Sequence, residues 1–122
     1  MQTVASGIDL IEIERLQKAV ERYGMRLLSR IFTAQEIVEV GDSMASLAAR
    51  FAAKEAVAKA LETGIGEVGW LEIEILRGPN RQPMLSLHGA AARLAAEKGL
   101  RHWSISLSHS LTTAIALAVA TG

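Results

Sequence analysis

The 122-residue chain contains no cysteine. That absence excludes a thiol nucleophile, a thiolate metal site and a disulfide framework, and it is compatible with the cytoplasmic location expected here. Aromatic residues make up only 4% of the chain, which argues against a surface of rings for stacking nucleic-acid bases. Lysine plus arginine number 13 and aspartate plus glutamate 13, so the formal net charge is zero. Without a global field there is no general attraction for polyanions, and affinity for phosphates or acidic partners must come from local patches. Long apolar runs are missing too. Asp9 and Glu12 interrupt the first apolar stretch, against a secretory signal, and Ala114 to Ala120 is far too short to cross a bilayer. Neither nucleic acid nor membrane is therefore an expected partner. Repeats, low-complexity tracts and linkers are also lacking, so one domain over residues 1–122 is expected. Half the residues are hydrophobic, enough for one modest core.

What is present reads as α+β: early helices packed on a mostly antiparallel sheet. Thr3 to Ile11 reads as a strand with Gly7 inside it, where glycine often marks a bulge or a close backbone approach. Glu12 to Arg30 reads as one helix. Thr33 and Glu36 in FTAQEI form a capping box for a second. Ser43 or Ser46 starts a third that runs to about Glu62, ended by Thr63-Gly64-Ile65-Gly66. Trp70 to Arg77 and Met84 to Leu87 read as a hairpin about Gly78-Pro79-Asn80. Gly89 to Lys98 is a short helix, and His102 to Ser108 pairs with Thr112 to Ala120 in a last hairpin.

The third helix, RFAAKEAVAKAL from position 50, carries the most information. At about 100° per residue, Arg50 and Lys54 share one stripe and Glu55 and Lys59 another, roughly 140° away. A helix apolar all round is buried, and a surface helix shows one polar face. Two charged stripes amid Leu47, Phe51, Ala52, Ala53, Ala56, Val57, Ala60 and Leu61 fit neither pattern. One stripe can face water; the other is expected to face a ligand, a metal or another subunit.

Four further features stand beside it. Asp9, in GIDLIEI, is a carboxylate among apolar strand residues, costly unless hydrogen-bonded, paired with a lysine or bound to metal. Glu55 either pairs with Lys59 along the helix or joins Asp9 as a ligand pair. Two carboxylates without histidine or cysteine suit a hard cation such as Mg²⁺, which keeps waters and takes phosphate oxygens. His109 ends SISLSH, on the strand face of Trp103, Ile105 and Leu107. It is either a histidine at the edge of the core or a phosphate or metal contact at a strand end. Arg15, Arg22, Arg26 and Arg30 fall on one stripe of the first helix, either a solvated face balanced by Glu14 and Glu21 or a dock for an acidic helix.

The segments GIDLIEIER at 7–15, FTAQE at 32–36, RFAAKEAVAKAL at 50–61, TGIG at 63–66 and SISLSHS at 104–110 follow one another in this chain. In that order they resemble the holo-acyl-carrier-protein synthase family, the small single-lobed 4′-phosphopantetheinyl transferases of bacteria. The resemblance runs essentially end to end. It implies transfer of 4′-phosphopantetheine from coenzyme A to a serine of apo acyl carrier protein, releasing adenosine 3′,5′-bisphosphate. It implies Asp9 and Glu55 as Mg²⁺ ligands, with Glu55 and Lys59 catalytic and Lys59 on the pyrophosphate. Arg50, Lys54, Gly64, Gly66 and His109 would then contact the coenzyme, with Arg50 and His109 near its 3′-phosphate and adenine. The four arginines would meet the acidic carrier, and the chain would be a homotrimer with the coenzyme in a cleft between neighbours. Two places depart from the family pattern: Arg81 stands where a glycine commonly precedes the hairpin proline by two residues, and no basic residue between Val40 and Ala45 matches the one often found there. With water as nucleophile the same carboxylates would serve a nucleotide pyrophosphatase, and without chemistry the chain would be a binding module.

Overall fold

The computed structural model describes residues 3–122, so residues 1 and 2 of the expected domain lie outside it. Strand β1 (Val4–Glu12) leads into helices α1 (Ile13–Tyr23), α2 (Met25–Ile31), α3 (Ala34–Val40) and α4 (Met44–Ala60). A short 3-10 turn at Trp70–Glu72 precedes the hairpin β2 (Ile73–Arg77) and β3 (Pro83–Leu87). Helix α5 (Gly89–Glu97) and the hairpin β4 (His102–His109) and β5 (Thr113–Thr121) complete the fold. The first and last strands meet in one antiparallel sheet of order β1-β5-β4, while β2 and β3 pair separately.

The small side chains explain how the layers meet. On β5, Ala114, Ala116, Ala118 and Ala120 are buried toward α4, which presents Ala52, Ala53, Ala56 and Ala60. Alanine on both sides lets helix and sheet approach closely, and Gly7 lets them touch. A Cβ at Gly7 would collide with the carbonyl oxygen of Ala56 and crowd the amide of Ala60. Glycine is required there by contact rather than by dihedral freedom. Around α4 the rest of the core closes with Leu61, Val68, Ile73, Ile75 and Ile105 on one side, and Phe32, Ile31, Leu16 and Leu47 on the other. The central helix is covered on most of its circumference, as its near-continuous apolar sequence requires.

Capping follows the sequence closely. The Thr33 side chain accepts from the Glu36 amide at 3.2 Å and Glu36 returns a bond from the Thr33 amide at 2.8 Å. Ser43, not Ser46, caps α4, accepting from the Ser46 amide at 3.1 Å. Two elements differ from expectation. The single helix expected over Glu12 to Arg30 is broken at Gly24, whose φ of 58° and ψ of −143° leave the helical region, and α2 starts a new axis. Trp70 to Glu72 is not strand: Glu72 turns back to accept the Gly69 amide at 2.6 Å, and Lys54 takes the Trp70 carbonyl at 3.0 Å. Among the described residues no helix is long and apolar enough to cross a membrane.

Candidate active site

Strand alternation puts Ala5, Gly7, Asp9 and Ile11 on the face of β1 toward α4, leaving Val4, Ser6, Ile8, Leu10 and Glu12 outside. The close packing at Gly7 draws Asp9 to the side of α4 that carries Glu55 and Lys59. Lys59 Nζ donates to Asp9 Oδ1 at 3.0 Å and to the Ile8 carbonyl at 2.9 Å. Lys59 therefore pairs across to the strand rather than along its helix with Glu55. No ion pair among the described residues involves Glu55. Its carboxyl is raised above the ordinary glutamate range, first by burial and then by the charge of Asp9, with Lys59 opposing. A partly desolvated carboxylate repelled by a second one beside it forms a site looking for positive charge. They line a cleft of about 490 Å³ whose other walls include Leu10, Leu16, Leu27, Ile31 and Phe51, with Arg15 also lining it.

A second cavity, of about 240 Å³, lies where β4, α4 and the β2–β3 hairpin converge. Arg50, Arg77, Arg81 and His109 line it with Leu107 and Pro83. Arg50 is buried, and its guanidinium donates to Glu39 Oε1 at 2.9 Å and to the Glu36 carbonyl at 3.3 Å. Glu39 also accepts the Arg77 backbone amide at 2.9 Å. Burial acts to raise the Glu39 carboxyl, but the Arg77 amide and Arg50 outweigh it and hold the group below the ordinary range. His109 is exposed at the end of β4, with Nδ1 3.3 Å from the Ser110 carbonyl oxygen. It is thus a cavity histidine at a strand end and not a core residue.

The structure corrects two expectations about these residues. Lys54 was expected on the coenzyme, yet its side chain and that of Glu36 are both 0% exposed. Its ammonium donates to Glu36 Oε1 at 2.8 Å, the Trp70 carbonyl at 3.0 Å and the Ile73 carbonyl at 2.6 Å. All three N–H groups are used, so nothing is left to offer a ligand. Burial draws the ammonium below the ordinary lysine range, and Glu36 opposes that shift. The stripe of four arginines is also corrected: the break at Gly24 puts Arg15 and Arg22 on α1 and Arg26 and Arg30 on α2. Gly64 and Gly66 lie in the turn that follows α4, outside the linings of these two cavities. Gly66, at φ 129°, returns the chain after α4, its amide bonding the Val68 carbonyl at 2.9 Å.

Sequence reasoning passed over Glu39 and treated Glu36 only as a cap. A usable signal was there: Glu36 and Glu39 stand three apart on α3, and Arg50 and Lys54 stand four apart on α4. Acids and bases spaced by one turn on neighbouring helices are set to pair.

Residues 5–120 match the profile of the 4′-phosphopantetheinyl transferase superfamily. The chain is 48% identical over 126 residues to a holo-(acyl-carrier-protein) synthase of Herpetosiphon aurantiacus, covering 98% of this chain and 99% of that one. A crystal structure of the Helicobacter pylori holo-(acyl-carrier-protein) synthase in complex with coenzyme A superposes with a TM-score of 0.86 at 37% identity, over 94% of this chain and 98% of the other. The Bacillus anthracis synthase, in complex with CoA (3′,5′-ADP), gives a TM-score of 0.81 at 31% identity, over 100% of this chain and 99% of the other. The same architecture, end to end, with the Asp9–Glu55 pair on its first strand and central helix, places the chain in the 4′-phosphopantetheinyl transferase superfamily, among the holo-(acyl-carrier-protein) synthases.

Proposed function

We propose that this protein is a cytoplasmic, Mg²⁺-dependent enzyme that moves 4′-phosphopantetheine from coenzyme A to a serine of apo acyl carrier protein, releasing adenosine 3′,5′-bisphosphate. The observation that carries the reading is the meeting of Asp9 and Glu55 beside Lys59 in an apolar-walled cleft, in a chain belonging to these synthases.

The donor set fits a magnesium ion. Asp9 and Glu55 offer only carboxylate oxygens, and no group of three metal-ligating side chains exists among the described residues. An ion held by two carboxylates takes its remaining ligands from water and phosphate, which is how Mg²⁺ is usually bound. Glu55, desolvated and repelled by Asp9, gains most from such a charge. Bound there, the ion would supply charge neutralisation for the departing phosphate. Lys59 holds the pyrophosphate from the same side, since its ammonium already sits 3.0 Å from Asp9 and is half exposed. The proton of the attacking serine would pass to Glu55 or to water held in the site. His109 and Arg50 line the nucleotide end, and Arg15, Arg22, Arg26 and Arg30, all exposed, form the basic surface for the acidic carrier.

The carboxylate cleft and the His109 cavity share no lining residue. We read them as the two halves of a coenzyme site. The outer face of the sheet exposes Ile8 (56%), Leu10 (61%), Val4 and Leu117, an apolar stripe of the kind buried between subunits. A homotrimer seated on this face would bring one subunit's carboxylates to its neighbour's nucleotide cavity.

Mass spectrometry of apo carrier incubated with coenzyme A and Mg²⁺ tests the reading. The expected product is carrier heavier by phosphopantetheine, lost in Asp9→Asn and Glu55→Gln. Coenzyme A consumed without carrier adduct would indicate hydrolysis instead, and no covalent change would leave a binding module.

A further inference from the structure

The β2–β3 turn holds a residue under backbone strain. Arg81 has a φ of 64°, in the left-handed region where non-glycine residues are uncommon. The turn leaves little choice of conformation there. The Arg81 amide bonds the Gly78 carbonyl at 2.9 Å, the Gly78 amide bonds the Gln82 carbonyl at 2.7 Å, and Arg77 pairs with Pro83 to start the ladder. A hairpin connection closed in this way wants glycine or asparagine at its left-handed position. A long charged side chain is retained instead, and it lines the cavity that Arg50 and His109 share. Strain held at a ligand-facing position is a signal of function when the observed outlier comes first.

Charge accounting sharpens the point. Arg50 is committed to Glu39 and the Glu36 carbonyl, so its charge is largely compensated. Arg77 and Arg81 line the same cavity, and no ion pair among the described residues involves either guanidinium. Two uncompensated guanidinium groups suit a dianion, and their forked donors match a terminal phosphate. If the functional reading above holds, on which this inference rests, coenzyme A carries one phosphate monoester besides its pyrophosphate, and Lys59 with the carboxylate site takes the latter.

We propose that Arg81, assisted by Arg77, grips the 3′-phosphate of coenzyme A and sets this chain's preference for the coenzyme over its 3′-dephospho form. Arg81 is a specificity-determining contact, outside the reacting centre.

Calorimetric titration of the intact protein with coenzyme A and with 3′-dephospho-coenzyme A tests this, using Arg81→Gly and Arg81→Asn, both compatible with positive φ. Each variant should weaken coenzyme A binding by about tenfold, the loss of one charge-assisted contact, and leave dephospho-coenzyme binding within about twofold. Thermal melting should show both variants at least as stable as the wild type. Equal weakening toward both ligands, or no weakening, would overturn the assignment while wild-type transfer to the carrier continues. Wild-type protein that neither binds coenzyme A nor transfers its arm would instead overturn the functional reading, and this assignment with it.

Discussion

At the scale of single residues, the lysines of α4 show how one residue type takes opposite roles under different burial. Lys59 is half exposed beside Asp9, with a charge a ligand can reach. Lys54, five positions earlier, is sealed against Glu36 and two carbonyls. Removing one partner of a buried pair leaves an uncompensated charge, so Glu36→Ala is expected to cost roughly 3–5 kcal/mol, read from urea unfolding. The loss is deepened because Glu36 also takes the Thr33 and Ile75 amides. Acid sensitivity follows from other carboxyls. Glu39 is lowered by the Arg77 amide and Arg50 against the opposing effect of burial, and Glu72 by the Gly69 and Ala90 amides. Glu74 is lowered by Thr33 and His88, again with burial opposing. A carboxyl lowered by folding contributes stability that is complete above its unfolded value and lost as pH falls through the folded one. The melting temperature should therefore hold above the ordinary glutamate value of 4.5 and decline below it. Glu39→Gln should flatten that decline, and an unchanged acid limb would remove Glu39 from the account.

At the scale of elements, the interruption at Gly24 divides the arginines into two groups with different surroundings. Arg15 lines the carboxylate cleft from α1, whereas Arg26 is exposed on α2 and lines no part of it. Reversal of Arg26 to Glu should raise the Michaelis constant for the carrier, in a salt-dependent way, and leave that for coenzyme A nearly unchanged. The same change at Arg15 should raise both. Steady-state kinetics at two ionic strengths separates them. Equal effects of Arg26→Glu on both substrates would count against docking on α2. The break also has a structural consequence. Gly24 has open space around its Cβ position, so only its φ of 58° opposes a side chain. Gly24→Ala should cost about 1–3 kcal/mol, because φ 58° with ψ −143° lies outside the regions a residue with a Cβ ordinarily occupies, measurable as a lower unfolding midpoint.

At the scale of the whole molecule, the proposed homotrimer rests on two cavities without a shared lining residue and on an exposed apolar sheet face. Leu117→Asp, placing a charge on that face away from both cavities, should dissociate the proposed trimer by light scattering and abolish transfer while far-ultraviolet circular dichroism stays unchanged. Mixing two inactive proteins gives a sharper check. Glu55→Gln lacks the carboxylate half and His109→Ala the nucleotide half, so hybrid trimers contain some clefts with both halves intact. Partial recovery of activity on mixing is expected. A trimer without recovery would place both residues on the same chain's side of the cleft.

The amino-acid order alone determined the α+β class, the capping box of α3 and both hairpins, and it narrowed the α4 cap to Ser43 or Ser46 and the partner of Glu55 to Lys59 or Asp9, because these depend on local period, cap chemistry and the cost of burying charge. It left Gly7 as either a bulge or a close-approach site, and the Ala56 carbonyl packed against it decides for close approach. Tertiary structure alone decided which charged stripe of α4 would be consumed inside. Period places Arg50 and Lys54 on one stripe and Glu55 and Lys59 on another, but it carries no information about what packs against each. Glu36 and Glu39 arrive from α3 and neutralise the first stripe, while Asp9 arrives from β1 beside the second. The helix break followed the same logic. Gly24 is tolerated within a helical pattern or ends it depending on whether the segments beyond it have a core to bury against. Here α2 buries Ile31 against the core that also holds Leu16, and the chain turns to reach it. Long-range pairing is set by which surfaces meet in space, and that is a property of the folded chain.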